Sequence, residues 1–460
     1  MKIAVVGSSH AGHEVIQTYL KNQSDAELHL YEKGDSASFM GWGSQSYLEG
    51  ISKTLDSLHY ANADSYTCQG VHVHLNSDVV DINPEGKTIT VETPDGQHQD
   101  SYDKLFISPG SAPNVLNIPG LNYDHIYFTP GRDWTGAIKQ RMEEAKKVVV
   151  IGGGYIGIEF GEAISLANID TTIVEFGETI IPTYLDKEFT ETLTSHAIDS
   201  GLKIKTSEAV QQILGDEDGN VRGVVTNKGE YEADTVIFAV GMHPATDWLD
   251  GVVDLNPDGS VVVNDYMQTS DENIYAAGDA TKLPYGPTGE KIRIGLATNA
   301  RRGGAIAAKN MIEGNKYKAP TINGTSGLRV FDYYFASTGI KDINLNLIQE
   351  EVESKYVEEP LLPSFMGNGE KPVGTLRMKI HYVKDSHRIV GAQFMAKDDV
   401  VGPLANSMSI ALTAGWTLEQ LATADFFFQP EYNRPWNYLN VLAMQALGDD
   451  YTFGSDTLLF

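Results

Sequence analysis

MKIAVVGSSHAGHEV at residues 1–15 and KKVVVIGGGYIGIEF at residues 146–160 decide the fold. Each is an apolar strand that runs straight into a glycine turn and then into helix-forming sequence. In the second copy the glycines are Gly152, Gly154 and Gly157, with Tyr155 and Ile156 between them, and Glu175 closes the next apolar run, TTIVEF. That is the full βαβ spacing. The glycines permit a tight turn and close backbone approach to a pyrophosphate, the helix N-terminus stabilises its charge, and the acid holds a ribose hydroxyl pair. The first copy has Gly7 and Gly12 but Ser9 at the middle position, with Glu32 and Lys33 at the end of the run LHLYEK. A single glycine fingerprint is an ordinary strand-to-helix turn in many α/β proteins. Two in one chain, each with its acid, predict two nucleotide sites.

The chain has 460 residues, long for one core, so two or three domains are expected. Its apolar content of 41% and charged content of 21% are those of a folded globular protein. A formal charge of −28 argues against a nucleic-acid partner and against anionic membrane surfaces, both of which would repel it. Met1-Lys2 leads directly into a glycine-broken strand, and no apolar run approaches membrane-spanning length; a soluble cytoplasmic protein is expected. Cys68 is the lone cysteine, which excludes an internal disulfide, a redox dithiol pair and a multi-thiolate zinc site.

Between the fingerprints, Val71 to Val91 reads as short strands with turns at Asn76 and at Asn83-Pro84-Glu85-Gly86. YDKLFISPGSAP and YEADTVIFAVGMHPATDWL then share one plan: an apolar strand, a glycine just past it (Gly110, Gly241) and a proline three residues later (Pro113, Pro244). The recurrence suggests two related domains that each close a sheet and return the chain. A third strand ends at Gly278-Asp279, where an aspartate at the carboxyl edge of a parallel strand points into the ligand crevice. Leu296, Ala297 and Thr298 begin a small-residue helix that faces the same crevice. From about Gly324 the pattern changes to an α+β region, with antiparallel strands at 375–383 and 389–395, helices near 403–413 and 418–421, and an aromatic segment, DFFFQPEYNRPWNYLN.

Taken together, the chain resembles the pyridine nucleotide-disulfide oxidoreductase superfamily, in its single-cysteine branch of NADH oxidases, NADH peroxidases and coenzyme A-disulfide reductases. The resemblance covers nearly the whole chain. It is carried by His10 and Ala11 in the first fingerprint, GGGYIGIEFGEA from Gly152, IYAAGDA ending at Ala280, LATNARRGG from Leu296, VFDYYFASTGI from Val330 and FFFQPEYNRPWNYLN from Phe426. It implies an α/β fold of two Rossmann-like domains, for FAD and NAD, plus a C-terminal α+β dimerisation domain. The implied boundaries are FAD-binding at 1–114 and 243–320, NAD-binding at 115–242 and dimerisation at 321–460. It also implies FAD and NADH as cofactors, a homodimer, and the partner's aromatic segment near the flavin. By position, Tyr155 matches the tyrosine that covers the flavin face until nicotinamide enters, and Glu159 the acid deeper in that pocket; Tyr155 also fits a helix-start residue packed on the sheet. Glu175 is followed by Phe176, Gly177 and Glu178, with no cation to receive a 2′-phosphate, so NADH is expected over NADPH.

One departure bears on the chemistry. Where the family reads roughly SFLSCG and places its lone redox cysteine against the flavin, this chain reads Ser38-Phe39-Met40-Gly41-Trp42-Gly43. Trp42 occupies the cysteine's place. Cys68 lies well beyond it and is expected to be a small buried residue. In the family, reduction of peroxide to water runs through the cysteine sulfenic acid, so its loss leaves two-electron reduction of oxygen to hydrogen peroxide as the expected outcome. Alternative outcomes are a peroxidase-like activity, electron transfer to a quinone or dye, and a redox-responsive FAD protein without turnover. His10 keeps the position of the family's active-site histidine; it either supplies a proton to departing peroxide or is a helix-start residue left after the cysteine's loss. His72 and His74 alternate on a strand and suggest a metal pair, but no acidic or thiol partner accompanies them, so they are expected to face solvent and no metal site is expected. His243 stands where relatives commonly carry arginine.

Overall fold

The structure is a computed structural model that describes residues 1–22, 25–362 and 374–448. Its first sheet holds five parallel strands in the order 274–276, 104–107, 2–6, 27–31, 72–74. The second repeats the plan with strands 203–205, 170–174, 147–151, 235–238 and 126–128. The central strands IAVV and VVVI are buried on both faces, as crossover helices require of parallel sheets. Each sheet carries an antiparallel three-stranded appendage, at 78–101 and 210–232. The first sheet takes its last strand from far along the chain, after the whole second sheet has formed. The two Gly/Pro returns noted in sequence pair with each other, Ser111–Pro113 running antiparallel to Met242–Pro244. There His243 bonds Asn114 at 2.9 Å.

Helix Ala297–Glu313 lies directly on helix His10–Lys21, because a Cβ at Gly304 would fall 2.5 Å from the Ala11 carbonyl oxygen. This brings the Gly278-Asp279 turn and the first fingerprint into one crevice. The C-terminal body is an antiparallel sheet in the order 326–330, 333–339, 389–396, 375–383, 352–360. Helices Val401–Thr413, Leu418–Ala422 and Tyr438–Ala446 cover it. The last residues of the expected dimerisation region, 449–460, lie outside the described residues.

Two sequence expectations are corrected. Cys68 is exposed, at the C-terminal end of helix Ala63–Thr67, because Tyr66 takes the one buried position of that short helix. His72 and His74 do have polar partners: the neighbouring parallel strand sets His29 beside His72, with Glu27 next along the same face.

Candidate functional site

The two fingerprints fold alike down to single hydrogen bonds. A Cβ on Gly7 would lie 2.5 Å from the Ser108 carbonyl oxygen, and one on Gly152 lies 2.3 Å from that of Ala239. Both glycines also hold positive φ, +89° and +107°, so no other residue fits either turn without strain. Gly12 and Gly157 press their helices onto the turns so closely that a Cβ would stand 1.9 Å from the carbonyl oxygens of Gly7 and Gly152. The middle position is different: a Cβ at Gly154 meets nothing within 4 Å. Protein packing therefore does not itself require glycine at this position, and the first copy carries Ser9 there.

The acids also match. Glu32 accepts from the Ser8 and Gly34 N–H groups, both at 3.0 Å, and Glu175 accepts from Gly153 and Gly177, both at 2.5 Å. Ser8 Oγ adds a further bond to Glu32, and it accepts the Ser38 N–H at 2.9 Å. Neither Ser9 nor Gly154 caps its helix with a side chain, so the first N–H groups of both helices point outward. Lys33 instead reaches Asp78 at 2.8 Å on the surface. Ile156 is half-buried behind the second turn.

Opposite the first turn, Asp279 accepts from Ser111 Oγ at 3.3 Å, and burial raises its pKa above the usual aspartate value. Gly295 passes so close that a Cβ there would lie 3.1 Å from the Asp279 carboxyl carbon. Leu296 precedes the helix without a side-chain cap, leaving the N–H groups of Ala297 and Thr298 open. Gly110, Gly241 and Gly278 have φ of +70°, +87° and +91° at the strand ends that frame the crevice. Both cradles therefore fit a dinucleotide: bare helix N-termini, close-approach glycines and an acid at each strand end.

Between the cradles runs a seam of the remaining predicted residues. Ser9 Oγ donates to the Phe39 carbonyl at 3.3 Å, tying the His10 turn to the segment that ends in Trp42. Trp42 sits in a short 3-10 turn, Gly41–Gly43, 44% exposed, with its edge toward Tyr155 at 6.2 Å. Tyr155 is buried; its ring stacks on Tyr184 at 3.5 Å and its hydroxyl meets Ser326 Oγ at 3.2 Å. It thus touches both other bodies of the protein. Glu159 follows one helical turn later.

Electrostatics along this seam depart from those of free residues. Burial pushes the Glu159 carboxyl up to about 8, with Glu162 and Glu49 adding like charge. Glu162 rises to about 7 for the same reasons, opposed by the Phe331 N–H, which it accepts at 2.8 Å. Gln45, just after Trp42, bridges Glu49 and Glu162 at 2.9 and 3.4 Å. His10 moves the other way. Burial, then the Arg301 and His13 charges, lower its pKa to about 4, so the imidazole is neutral near pH 7. Its Nδ1 is buried without a hydrogen-bond partner, and Tyr60 meets the ring edge-on at 5.4 Å. Sequence reading did not anticipate Ser8, Ser111, Tyr184, Glu162, Arg301 or Ser326. Ser8, Ser111, Glu162 and Arg301 lie inside the quoted segments but at positions to which the nucleotide fingerprints give no role, and Tyr184 and Ser326 lie outside them; the contacts that bring all six to the site come from other elements.

The signature of the pyridine nucleotide-disulphide oxidoreductase family matches residues 1–304. The chain belongs to this family. A curated NADH oxidase of Enterococcus faecalis is 39% identical over 449 residues, covering 97% of this chain and 99% of that protein. A Streptococcus pyogenes NADH oxidase is 30% identical over 97% of this chain and 99% of its own. Among solved structures, a water-forming NADH oxidase from Lactobacillus brevis bound to NADH superimposes with a TM-score of 0.92 at 35% identity, covering 97% of this chain and 98% of that one. The chain is accordingly an NADH-dependent oxidoreductase of the NADH oxidase branch, with FAD and NADH as its cofactors. Among the described residues no helix of this oxidoreductase is long and apolar enough to cross a membrane.

Proposed function

We propose that the protein is a cytoplasmic NADH oxidase that releases hydrogen peroxide: NADH + H+ + O2 → NAD+ + H2O2. The observation that carries the product is Trp42, an indole beside Tyr155 at the position where the resemblance supplies the redox thiol. Cys68 gives no substitute, being exposed at the end of a helix in another part of the first body. The Lactobacillus brevis relative is named water-forming; the reading here differs because a second two-electron step needs a carrier that the seam lacks.

In this reading the residues divide the work as follows. Glu32, Ser8 and the Gly7–Gly12 turn hold the adenosine and pyrophosphate of FAD, Asp279 its ribitol chain, and the open helix start at Leu296–Thr298 its charge. Glu175 and the Gly152–Gly157 turn hold NADH. FAD, when bound, supplies the two-electron chemistry between NADH and oxygen. Tyr155 closes the nicotinamide pocket and must leave its Tyr184 stack to open it. Glu159, protonated near neutral pH, donates a hydrogen bond within that pocket without adding charge. His10, neutral near pH 7, leaves the proton for peroxide to solvent. The proposed domains are 1–114 with 243–320, 115–242 and 321–460. A homodimer through the last is supported by the exposed aromatics Phe427, Phe428, Tyr432 and Trp436.

Anaerobic mixing of the FAD-loaded protein with NADH tests the reductive half. Rapid bleaching of the flavin is expected, with much slower bleaching by NADPH. Flavin that stays oxidised under excess NADH would sink the oxidase reading.

A further inference from the structure

At the outer edge of the first sheet, the side chains of Glu27 and His29 on one strand meet those of His72 and His74 on the next. The strands are parallel and in register, pairing His29 with His72 and Tyr31 with His74. The period-two alternation of strands therefore puts all four side chains on one face. His29 Nε2 lies 2.9 Å from Glu27 Oε1, and His72 Nε2 lies 3.8 Å from the same oxygen. The imidazoles of His29 and His72 stack at 4.5 Å, nearly parallel. One ligand atom from each of Glu27, His29 and His72 falls within 4.8 Å of the other two. Behind them His74 Nε2 bonds His29 Nδ1 at 3.1 Å, and Tyr31 hydrogen-bonds Asp100, which also pairs with Lys2.

We propose that Glu27, His29 and His72 form a binding site for a divalent transition ion of zinc type, with His74 orienting His29. Two imidazoles and a carboxylate are a borderline-soft donor set, suited to zinc rather than to magnesium or calcium, which prefer oxygen alone. A tetrahedral zinc with bonds of about 2.0–2.1 Å holds its donors roughly 3.4 Å apart. The spacing observed brackets that distance, and Glu27 and His72 are exposed enough to adjust by side-chain rotation while buried His29 stays fixed. Water completes the fourth position.

The proton balance is simple. Without metal, His29 Nε2–H faces the Glu27 carboxylate and Nδ1 accepts from His74 Nε2–H. With metal, Nε2 binds the ion, Nδ1–H donates to His74 Nε2, and His74 carries its proton on Nδ1. The two rings exchange tautomers with no net proton change. A hydrogen bond from the ring nitrogen that does not bind the ion, commonly to a carboxylate, carbonyl or water, orients metal-binding histidines; here His74 takes that place. An ion here would tie the edge strand to its inner neighbour, which leads directly into Glu32. It would raise thermal stability by binding only the folded state.

The test uses untagged, FAD-loaded, chelator-treated protein titrated with zinc by calorimetry, with bound metal counted after dialysis. One zinc per chain is expected, together with an upward shift in melting temperature. His72→Ala and Glu27→Gln, both at exposed positions, should each weaken binding at least tenfold while leaving flavin bleaching by NADH unchanged. His387→Ala, which removes a histidine paired with Glu419 in the C-terminal body, should leave binding intact. The absence of stoichiometric zinc, or zinc binding insensitive to both His72→Ala and Glu27→Gln, would overturn the proposal.

Discussion

The indole of Trp42 meets the ring of Tyr155 edge-on, centroids 6.2 Å and planes 84° apart, so that a loop of the first body touches the helix that follows the second glycine turn. Edge-to-face pairs contribute about 0.5–1.5 kcal/mol beyond the area they bury. Trp42→Ala is expected to lower stability by about 1 kcal/mol, read from urea unfolding. Trp42→Cys, placing a thiol where the resemblance has one, should lower the peroxide recovered per NADH oxidised.

Tyr155 is fixed by a stack and by a hydroxyl contact, and the two separate by mutation. Tyr155→Phe keeps the Tyr184 stack and loses the bond to Ser326, an expected loss of about 1 kcal/mol. Tyr155→Ala also leaves a cavity among Trp42, Tyr184 and Phe335 and should cost about 3–5 kcal/mol. If the ring shutters the nicotinamide pocket, the phenylalanine variant will bleach its flavin with NADH at least as fast as the wild type. Slower bleaching would argue against that role.

The glycine turns make a paired prediction. Gly157→Ala forces a Cβ to within 1.9 Å of the Gly152 carbonyl oxygen and should destabilise the second body outright. Gly154→Ala enters open space, so its melting temperature should match the wild type while its KM for NADH rises about tenfold through lost pyrophosphate approach. Equal KM values for Gly154→Ala and wild type would place the nucleotide elsewhere.

The acid pair has a signed pH dependence. A carboxyl whose folded pKa lies above its unfolded value holds its proton more tightly when folded. Its stabilisation is present at low pH and is lost as pH rises through the folded value, here about 8 for Glu159 and about 7 for Glu162. Stability of the wild type should therefore fall from about pH 5, just above the free carboxyl value of 4.5, and level off near pH 8, and Glu159→Gln should flatten that decline by on the order of 1–3 kcal/mol. Melting curves of the two proteins across that range decide it.

Asp186 behaves in the opposite sense. It precedes helix Lys187–Asp199 and is buried against the C-terminal sheet, where Gln393 Nε2 donates to it at 2.6 Å and Lys379 lies 3.1 Å away. His381 and Lys379 hold its pKa well below the usual aspartate value, against the effect of burial. The stabilisation it gives is present above the unfolded pKa and is lost as pH falls below it. Asp186→Ala leaves Lys379 buried with its remaining acids and should destabilise by about 3–5 kcal/mol. Urea midpoints at neutral pH measure the loss.

How far the sequence could be read follows from where its signals are local. Gly7, Gly12, Gly152 and Gly157 declared both turns because close approach admits no other residue there, and strand 375–383 showed its alternation. Strands 326–330, 333–339 and 352–360 were missed because their burial is set by neighbours distant in the chain. The same holds for Glu162, whose pKa depends on Gln45, Glu49 and Phe331 from separate elements. His72 and His74 looked partnerless for the same reason: Glu27 and His29 lie more than forty positions earlier yet one strand away.

The central claim is that electrons leave this protein in pairs to oxygen and stop at peroxide, because Trp42 replaces the second redox centre. Simultaneous measurement of NADH consumed, oxygen consumed and hydrogen peroxide formed, in catalase-free, air-saturated buffer, tests it most directly. The account predicts one oxygen consumed and one peroxide formed for each NADH. Two NADH per oxygen with no peroxide would contradict it.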